Sequence, residues 1–201
     1  MRLRISVSFL ILATISLSGC LMLGRDFVMT PAPTRNAVIF PLSGGIGIEK
    51  EGVIAVALPI NNIKEMDAFA LILVNKRDHW ISFYKKDCIL FDQKGNEIKP
   101  FKDEEARAKL SRGIKPSIPL PFRSEVLRWR KDVITAPGTT LLPVENPEKL
   151  SILPDHKLRV FLYFKKQSVT SSQLTLIVPN IFDEVTGEKI SFAFRFKVEK
   201  R

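Results

Sequence analysis

The sequence predicts a mostly-β fold: two packed sheets of antiparallel strands forming a β-sandwich, with a short helical and proline-rich crossover inserted at about 102–135. Three observations predict it. Leu158, Val160, Leu162 and Phe164 alternate, as do Leu174, Leu176 and Val178, and Ile190, Phe192, Phe194, Phe196 and Val198 do so most strictly; this is the period of two that a half-buried strand requires. Upstream, Gly52 to Leu58 and Ala68 to Val74 are continuously apolar, as expected of central strands covered on both faces. Turn residues punctuate the runs at spacings that suit antiparallel connections of Greek-key length. With 201 residues, 45% hydrophobic and 26% charged, the chain has the composition of one globular domain, neither disordered nor a polytopic membrane protein.

Taken in order, Leu21 to Asn36 carries Gly24, Pro31 and Pro33 without a sustained period and reads as a semi-extended tether, of at most about 55 Å. Ala37 to Leu42 is a strand candidate, and Ser43-Gly44-Gly45-Ile46-Gly47 reads as a flexible loop. Gly52 to Leu58 is closed by Pro59 and Asn61-Asn62. Trp80 to Phe91 is one long strand interrupted at Lys85-Lys86-Asp87, which suggests a bulge or a sheet-switching bend. Asp92 to Asn96 supplies a turn, with Gly95 where a positive φ is needed, and Glu97 to Phe101 returns as its hairpin partner. A helix starts near Asp103, which can cap it; Glu104 and Glu105 suit the positive end of its dipole, Lys109 and Arg112 the negative end, and Gly113 can close it. Asp103 with Arg107, and Glu105 with Lys109, stand four residues apart as helical ion pairs. Pro116, Pro119 and Pro121 force an extended crossing. Ser124 to Ile134 fits either a helical face through Val126, Trp129 and Val133 or strand parity through Leu127, Trp129, Lys131 and Val133. Asp183 to Gly187 is turn-like.

The first twenty residues are an address. Arg2 and Arg4 precede an apolar stretch from Ile5 to Leu17, broken by Ser6, Ser8, Thr14 and Ser16, and then come Ser18, Gly19 and Cys20. This is the order of a secretory signal, and the apolar run is shorter than the roughly 20 residues that span a bilayer. Leu17-Ser18-Gly19-Cys20 resembles the lipobox of bacterial lipoproteins. The resemblance implies diacylglyceryl transfer to the Cys20 sulfur, cleavage before Cys20 and acylation of the freed amine, so that residues 1–19 are removed and 20–36 become lipidated cysteine and tether. Two or three chains make a stable anchor where one is marginal. Leu21, rather than Asp, after the cysteine implies forwarding to the outer membrane in a Gram-negative envelope. Ala68 to Phe101, an apolar strand, a second strand and then Phe91-Asp92-Gln93-Lys94-Gly95, resembles the immunoglobulin-like domains of uncharacterised bacterial surface lipoproteins. The Cys…Trp…Cys framework of antibody domains is absent, so the resemblance implies the sandwich architecture only, over residues 37–201.

Lipidation of Cys20 would leave Cys88 without an intramolecular partner, either as a buried thiol or in an intermolecular bridge. Its place in the apolar run Cys88-Ile89-Leu90-Phe91 favours burial. The net charge is +10, and loss of Arg2 and Arg4 with the leader leaves +8. The excess concentrates between Ala106 and Lys131, where eight basic side chains stand against Glu125 alone. Arg123, Arg128, Arg130 and Lys131 surround Trp129, with Arg107 and Arg112 upstream, so cations and an aromatic ring interleave as they do on surfaces that meet anions. The competing reading makes this charge a solvated helix face and Trp129 a core anchor.

Catalytic signatures are weak. His79 lies nine residues before Cys88 with no third group to orient it. His156 sits in a turn without Cys or Glu at metal-ligand spacing. Gly44, Gly45 and Gly47 lack the third glycine and the Lys-Ser/Thr of a phosphate loop. No catalytic residue, metal or cofactor is expected, and nucleic acid conflicts with the secretory address. The sequence therefore points to a lipid-anchored envelope lipoprotein acting as a non-enzymatic binding, assembly or adaptor module. Its expected partners are the membrane and an anionic envelope polymer, glycolipid or acidic protein. The alternative is a lipid or small-hydrophobe carrier with a cavity between the sheets.

Overall fold

The computed structural model describes residues 27–110, 113–139 and 148–200. Strands β1 (Phe27–Pro31), β2 (Ala37–Phe40), β3 (Gly45–Lys50), β4 (Val53–Pro59), β5 (Met66–Asn75), β6 (Ile81–Tyr84), β7 (Ile89–Phe91) and β8 (Glu97–Ile98) come first. Helices α1 (Asp103–Lys109), α2 (Phe122–Trp129) and α3 (Asp132–Thr135) follow, and then strands β9 (Lys149–Ile152), β10 (Lys157–Lys165), β11 (Gln173–Asp183) and β12 (Lys189–Lys200). One sheet has the order β1-β12-β11-β6-β9, with β7 also on β11 and β8 on β7; the other has the order β10-β5-β4-β3-β2. Every ladder between these strands is antiparallel.

The sheets face each other across one core. Leu174, Leu176, Val178, Phe192, Phe194 and Phe196 from the first sheet meet Ala55, Ala57, Phe69, Leu71, Leu73, Leu162 and Phe164 from the second. Phe69 anchors it, with ring centroids 6.1 Å from Phe164 and 5.1 Å from Phe196; each such buried ring contributes about 1.5–3 kcal/mol. The crossover does not lie between the sheets but over the outer face of the second. Val126, Phe122, Val133 and Ala106 pack there on Ile54, Val56, Leu58, Ala68, Ala70 and Ile72. This third layer is why β4 and β5 read as continuously apolar: every residue of both strands is buried. In β11 the register with β12 shifts between Val178 and Ile181, where Pro179 has no amide to donate and Asn180 adopts φ 50°.

Several expectations are corrected. The stretch read as tether contains β1, whose residues pair from Phe27↔Lys200 to Pro31↔Phe196, so the folded domain begins at least ten residues before residue 37. The glycine-rich loop is largely β3: Gly45, Gly47 and their neighbours pair with β2 and β4. The break at Lys85–Asp87 is a 3-10 turn, and β6 and β7 on either side of it both pair with β11, so no sheet switch occurs. Lys102, not Asp103, is the N-cap of α1 and makes no side-chain cap bond; the helix stops at Leu110. Asp103 pairs with Lys85 instead of Arg107, while Glu105 and Lys109 do pair, at 3.7 Å. The ambiguous stretch is helical, α2 followed by α3.

Candidate functional site

The residues expected to form one basic contact surface are divided by the fold. Cys20 and Arg112 lie outside the described residues. Arg107 projects from α1 beside β10, whereas Arg123, Arg128, Trp129, Arg130 and Lys131 belong to α2 and the start of α3, over β2 and β3. β10 and β2 are the two outer strands of the sheet, so about 19 Å of sheet separates the groups at about 4.8 Å per strand.

On the α2 side, Trp129 is half-buried. Its ring centroid lies 5.6 Å from that of Phe40, and it covers Gly47 so closely that a Cβ there would stand 2.3 Å from the ring. The Arg130 guanidinium is held by Glu49, Nε to Oε2 at 2.9 Å. Glu125 turns inward and its two carboxylate oxygens accept the amides of Leu42 and Ser43 at 2.8 and 2.9 Å. What remains open is Arg123 and Arg128, exposed and without an ion pair among the described residues, and Lys131 beyond them. Arg128 rims an apolar recess of about 390 Å³ formed with Val38, Ile39, Leu42 and Trp129.

On the β10 side lies a larger groove, about 590 Å³, running from α1 over β10 toward the 3-10 turn and β9. Its walls carry Lys85, Lys86, Lys102, Arg107 and Arg159 against Asp103, Glu104 and Glu148. Lys85 is spent on Asp103 and Lys86 on Glu148, which leaves Lys102, Arg107 and Arg159 as exposed cations without an ion pair among the described residues, the last two being guanidinium groups. Phe101, Phe161 and Tyr163 supply aromatic surface; the last two stack with centroids 6.4 Å apart and 28° between planes. Burial, followed by the Asp103 charge, raises the Tyr163 hydroxyl above its usual range, with Arg107 opposing, so the phenol is a neutral donor. Sequence reading missed Arg159, Phe161 and Tyr163 because the even residues of β10 announced the core; the odd residues, on the opposite face, carry the groove.

A third cluster is structural in form. Asp183 is buried, and its carboxylate accepts the amides of Val185 and Thr186 at 3.0 and 2.9 Å and pairs with Arg77 at 2.7 Å. Burial pushes this carboxyl up, but those bonds outweigh it and hold the pKa at about 2. Arg77 also reaches Glu188 at 2.7 Å, and His79 Nδ1 stands 3.6 Å from Asp183. His79 thus meets this turn and not Cys88, whose thiol is buried in the core and pushed up to about 12 by that burial. Among the described residues no three His, Cys, Asp or Glu side chains converge as a metal would need, and no helix is long and apolar enough to cross a membrane. No family model, curated protein or solved structure matches this chain.

Proposed function

We propose that the protein is a lipid-anchored, non-enzymatic binding module of the cell envelope, held by acylated Cys20, and that the groove along β10 receives an anionic group of its partner. The observation that carries this reading is the pairing of Arg107 and Arg159, two exposed guanidinium groups without a carboxylate partner among the described residues, with the aromatic wall of Phe101, Phe161 and Tyr163. Guanidinium groups bind phosphate or carboxylate through charge-assisted bonds, and rings beside them bury the apolar part of the same ligand. Of the sequence-predicted set, Arg107 stands in this groove, while Arg123 and Arg128 are open on the α2 side. Trp129 and Arg130 are engaged in packing and in the Glu49 pair. The space a carrier would need between the sheets is occupied by Phe69, Phe83, Phe164, Phe194 and Phe196, all closed to solvent.

The test is binding of the mature chain to soluble anionic cell-wall polymer and to isolated phosphate-bearing glycolipid headgroup, across a salt titration, for the wild type and the Arg107→Ala/Arg159→Ala variant. Binding that weakens steeply with salt and falls by about tenfold or more in the variant is expected, since losing a charge-assisted bond costs about 1.5–3 kcal/mol. Equal binding by both proteins, or none by either, refutes the groove. The anchor is tested separately: Cys20→Ala should leave an unprocessed or mislocalised product, and normal processing with normal membrane retention of that variant would contradict lipidation.

A further inference from the structure

The ends of the sandwich are unlike each other. β1 begins at Phe27 beside Lys200, and Gln173 pairs with Lys197, so Phe27, Gln173 and Lys200 lie at one end. In the second sheet the same end holds Phe40↔Gly45, Pro59↔Phe69 and Met66↔Lys165, and it is tied to the first sheet where the Met29 amide donates to Asn61 Oδ1 at 3.2 Å. This proximal pole is where the chain enters the fold. The distal pole holds the turns at Lys76–His79, Pro154–His156 and Asp183–Glu188.

Three large apolar side chains stand free at the proximal pole: Leu42 is 71% exposed, Leu120 96% and Val169 56%. Leu42 follows β2, Val169 lies in the β10–β11 connection, and Leu120 belongs to the crossing segment that Asn62 holds by the Lys115 carbonyl at 2.9 Å. Exposed Lys94, Lys115, Arg123, Lys165, Lys197 and Lys200 surround them. Of the acids at this end, Asp67 is buried against Lys166 and the loop amides, Asp92 is occupied by its own turn and Glu125 by the Leu42 and Ser43 amides; Glu65, Glu97 and Glu199 also lie here. At the distal pole the charges of both signs are paired instead, Asp155 with Lys76, Asp183 and Glu188 with Arg77, and Glu184 with Lys149.

We propose that the proximal pole is a second membrane contact: Leu42, Leu120 and Val169 enter the headgroup layer of an anionic bilayer and the surrounding lysines and Arg123 meet its phosphates. The proposal rests on the lipoprotein reading in one respect. From Cys20 to Phe27 is seven residue steps, at most about 25 Å of extended chain; the ten and twelve residues of β5 and β12 make the sandwich longer than that, about 33–40 Å. The anchor therefore presents this pole first, and apolar tips ringed by cations are the side-chain chemistry that an interface with anionic lipid rewards. The same short tether turns the distal pole, whose charges are paired, away from the membrane.

The mature chain is prepared as four single-site variants, Leu42→Cys, Leu120→Cys, Val169→Cys and Val185→Cys, each labelled with an environment-sensitive fluorophore; the buried Cys88 stays unlabelled. Val185, 68% exposed at the distal pole, is the control. The proteins are placed on phosphatidylglycerol/phosphatidylethanolamine vesicles that contain a nitroxide-labelled lipid, and on phosphatidylcholine vesicles with the same quencher. Labels at positions 42, 120 and 169 should be quenched severalfold more than the label at 185, with the contrast reduced on phosphatidylcholine and at high salt. Equal quenching at the two poles, or quenching at neither, overturns the proposal, as does proximal-pole protection that arises only when another envelope protein is added. Intact mass of the same samples reports whether Cys20 is acylated. A missing acyl mass sinks the lipoprotein reading by itself, and the contrast between the poles is then read on vesicles to which the unacylated chain has been added.

Discussion

Gly47→Ala adds one methyl group to the centre of β3, directly beneath the indole of Trp129. The new Cβ would stand 2.3 Å from Cζ3 and 2.6 Å from Cη2, where carbon pairs settle at about 3.5–4.0 Å, so the ring must retreat by about an ångström or more. It has little room, because Phe40 backs it at 5.6 Å between centroids. Overpacking of this kind costs about 1–3 kcal/mol, against which alanine regains about 0.5–1 kcal/mol over glycine in a strand interior. The expected net loss is about 1–2 kcal/mol, or roughly 2–8 °C in Tm for a domain of this size. Urea unfolding followed by far-ultraviolet circular dichroism measures it without relying on the indole as probe. The decisive comparison repeats Gly47→Ala in a Trp129→Leu background, where the ring atoms that the methyl group would strike are gone and the substitution should be neutral or slightly stabilising. A wild-type midpoint for Gly47→Ala, or the same loss in both backgrounds, would refute the close approach of α2 to β3.

Two further predictions concern buried carboxylates. Glu125→Ala removes the acceptors of the Leu42 and Ser43 amides and should cost about 3 kcal/mol, with faster hydrogen exchange at those two amides; Glu125→Gln should recover part of it, and unchanged exchange would show that α2 does not hold this loop. Asp183, with its pKa at about 2 in the fold against about 3.9 unfolded, contributes stability that is complete above pH 4 and is lost as pH falls through 2. Asp183→Asn should therefore cost about 2 kcal/mol at neutral pH and flatten the acid limb of the stability curve between about pH 4 and 2, and an unaltered acid limb would contradict the hold of the Thr186 and Val185 amides and Arg77 on this carboxylate.

The sandwich was legible because its strands announce their burial. β10, β11 and β12 alternate since each has one face on the core, and β4 and β5 do not alternate since α1–α3 cover the face that the first sheet leaves free. β1 was not legible. Phe27–Pro31 is five residues beside prolines, and it is a strand only because β12 lies along it from the far end of the chain. β3 was obscured by the same glycine that admits Trp129: nothing local distinguishes a glycine that bends a loop from one that makes room for a ring. The basic surface was read as one because Arg107 and Arg128 are 21 residues apart in sequence. Pro116, Pro119 and Pro121 carry the chain across the sheet between them, and sequence proximity was lost in that crossing.

The first and last described strands are partners, Phe27 alongside Lys200, and this orders events in time. When β4 and β5 have just been synthesised, the helices that shield one of their faces, and β6, β11 and β12 of the sheet that shields the other, have not been made. Asp67 is the one ionisable residue in the seventeen of those two strands, so while uncovered they are prone to self-association. The sheet that covers them closes only when residues 189–200 arrive. The C-terminal strand is in this sense a latch: a stop codon within it leaves β1 and β11 as open edges above an uncovered hairpin, and the truncated product should appear as aggregate or proteolytic fragments in place of a weakened native protein.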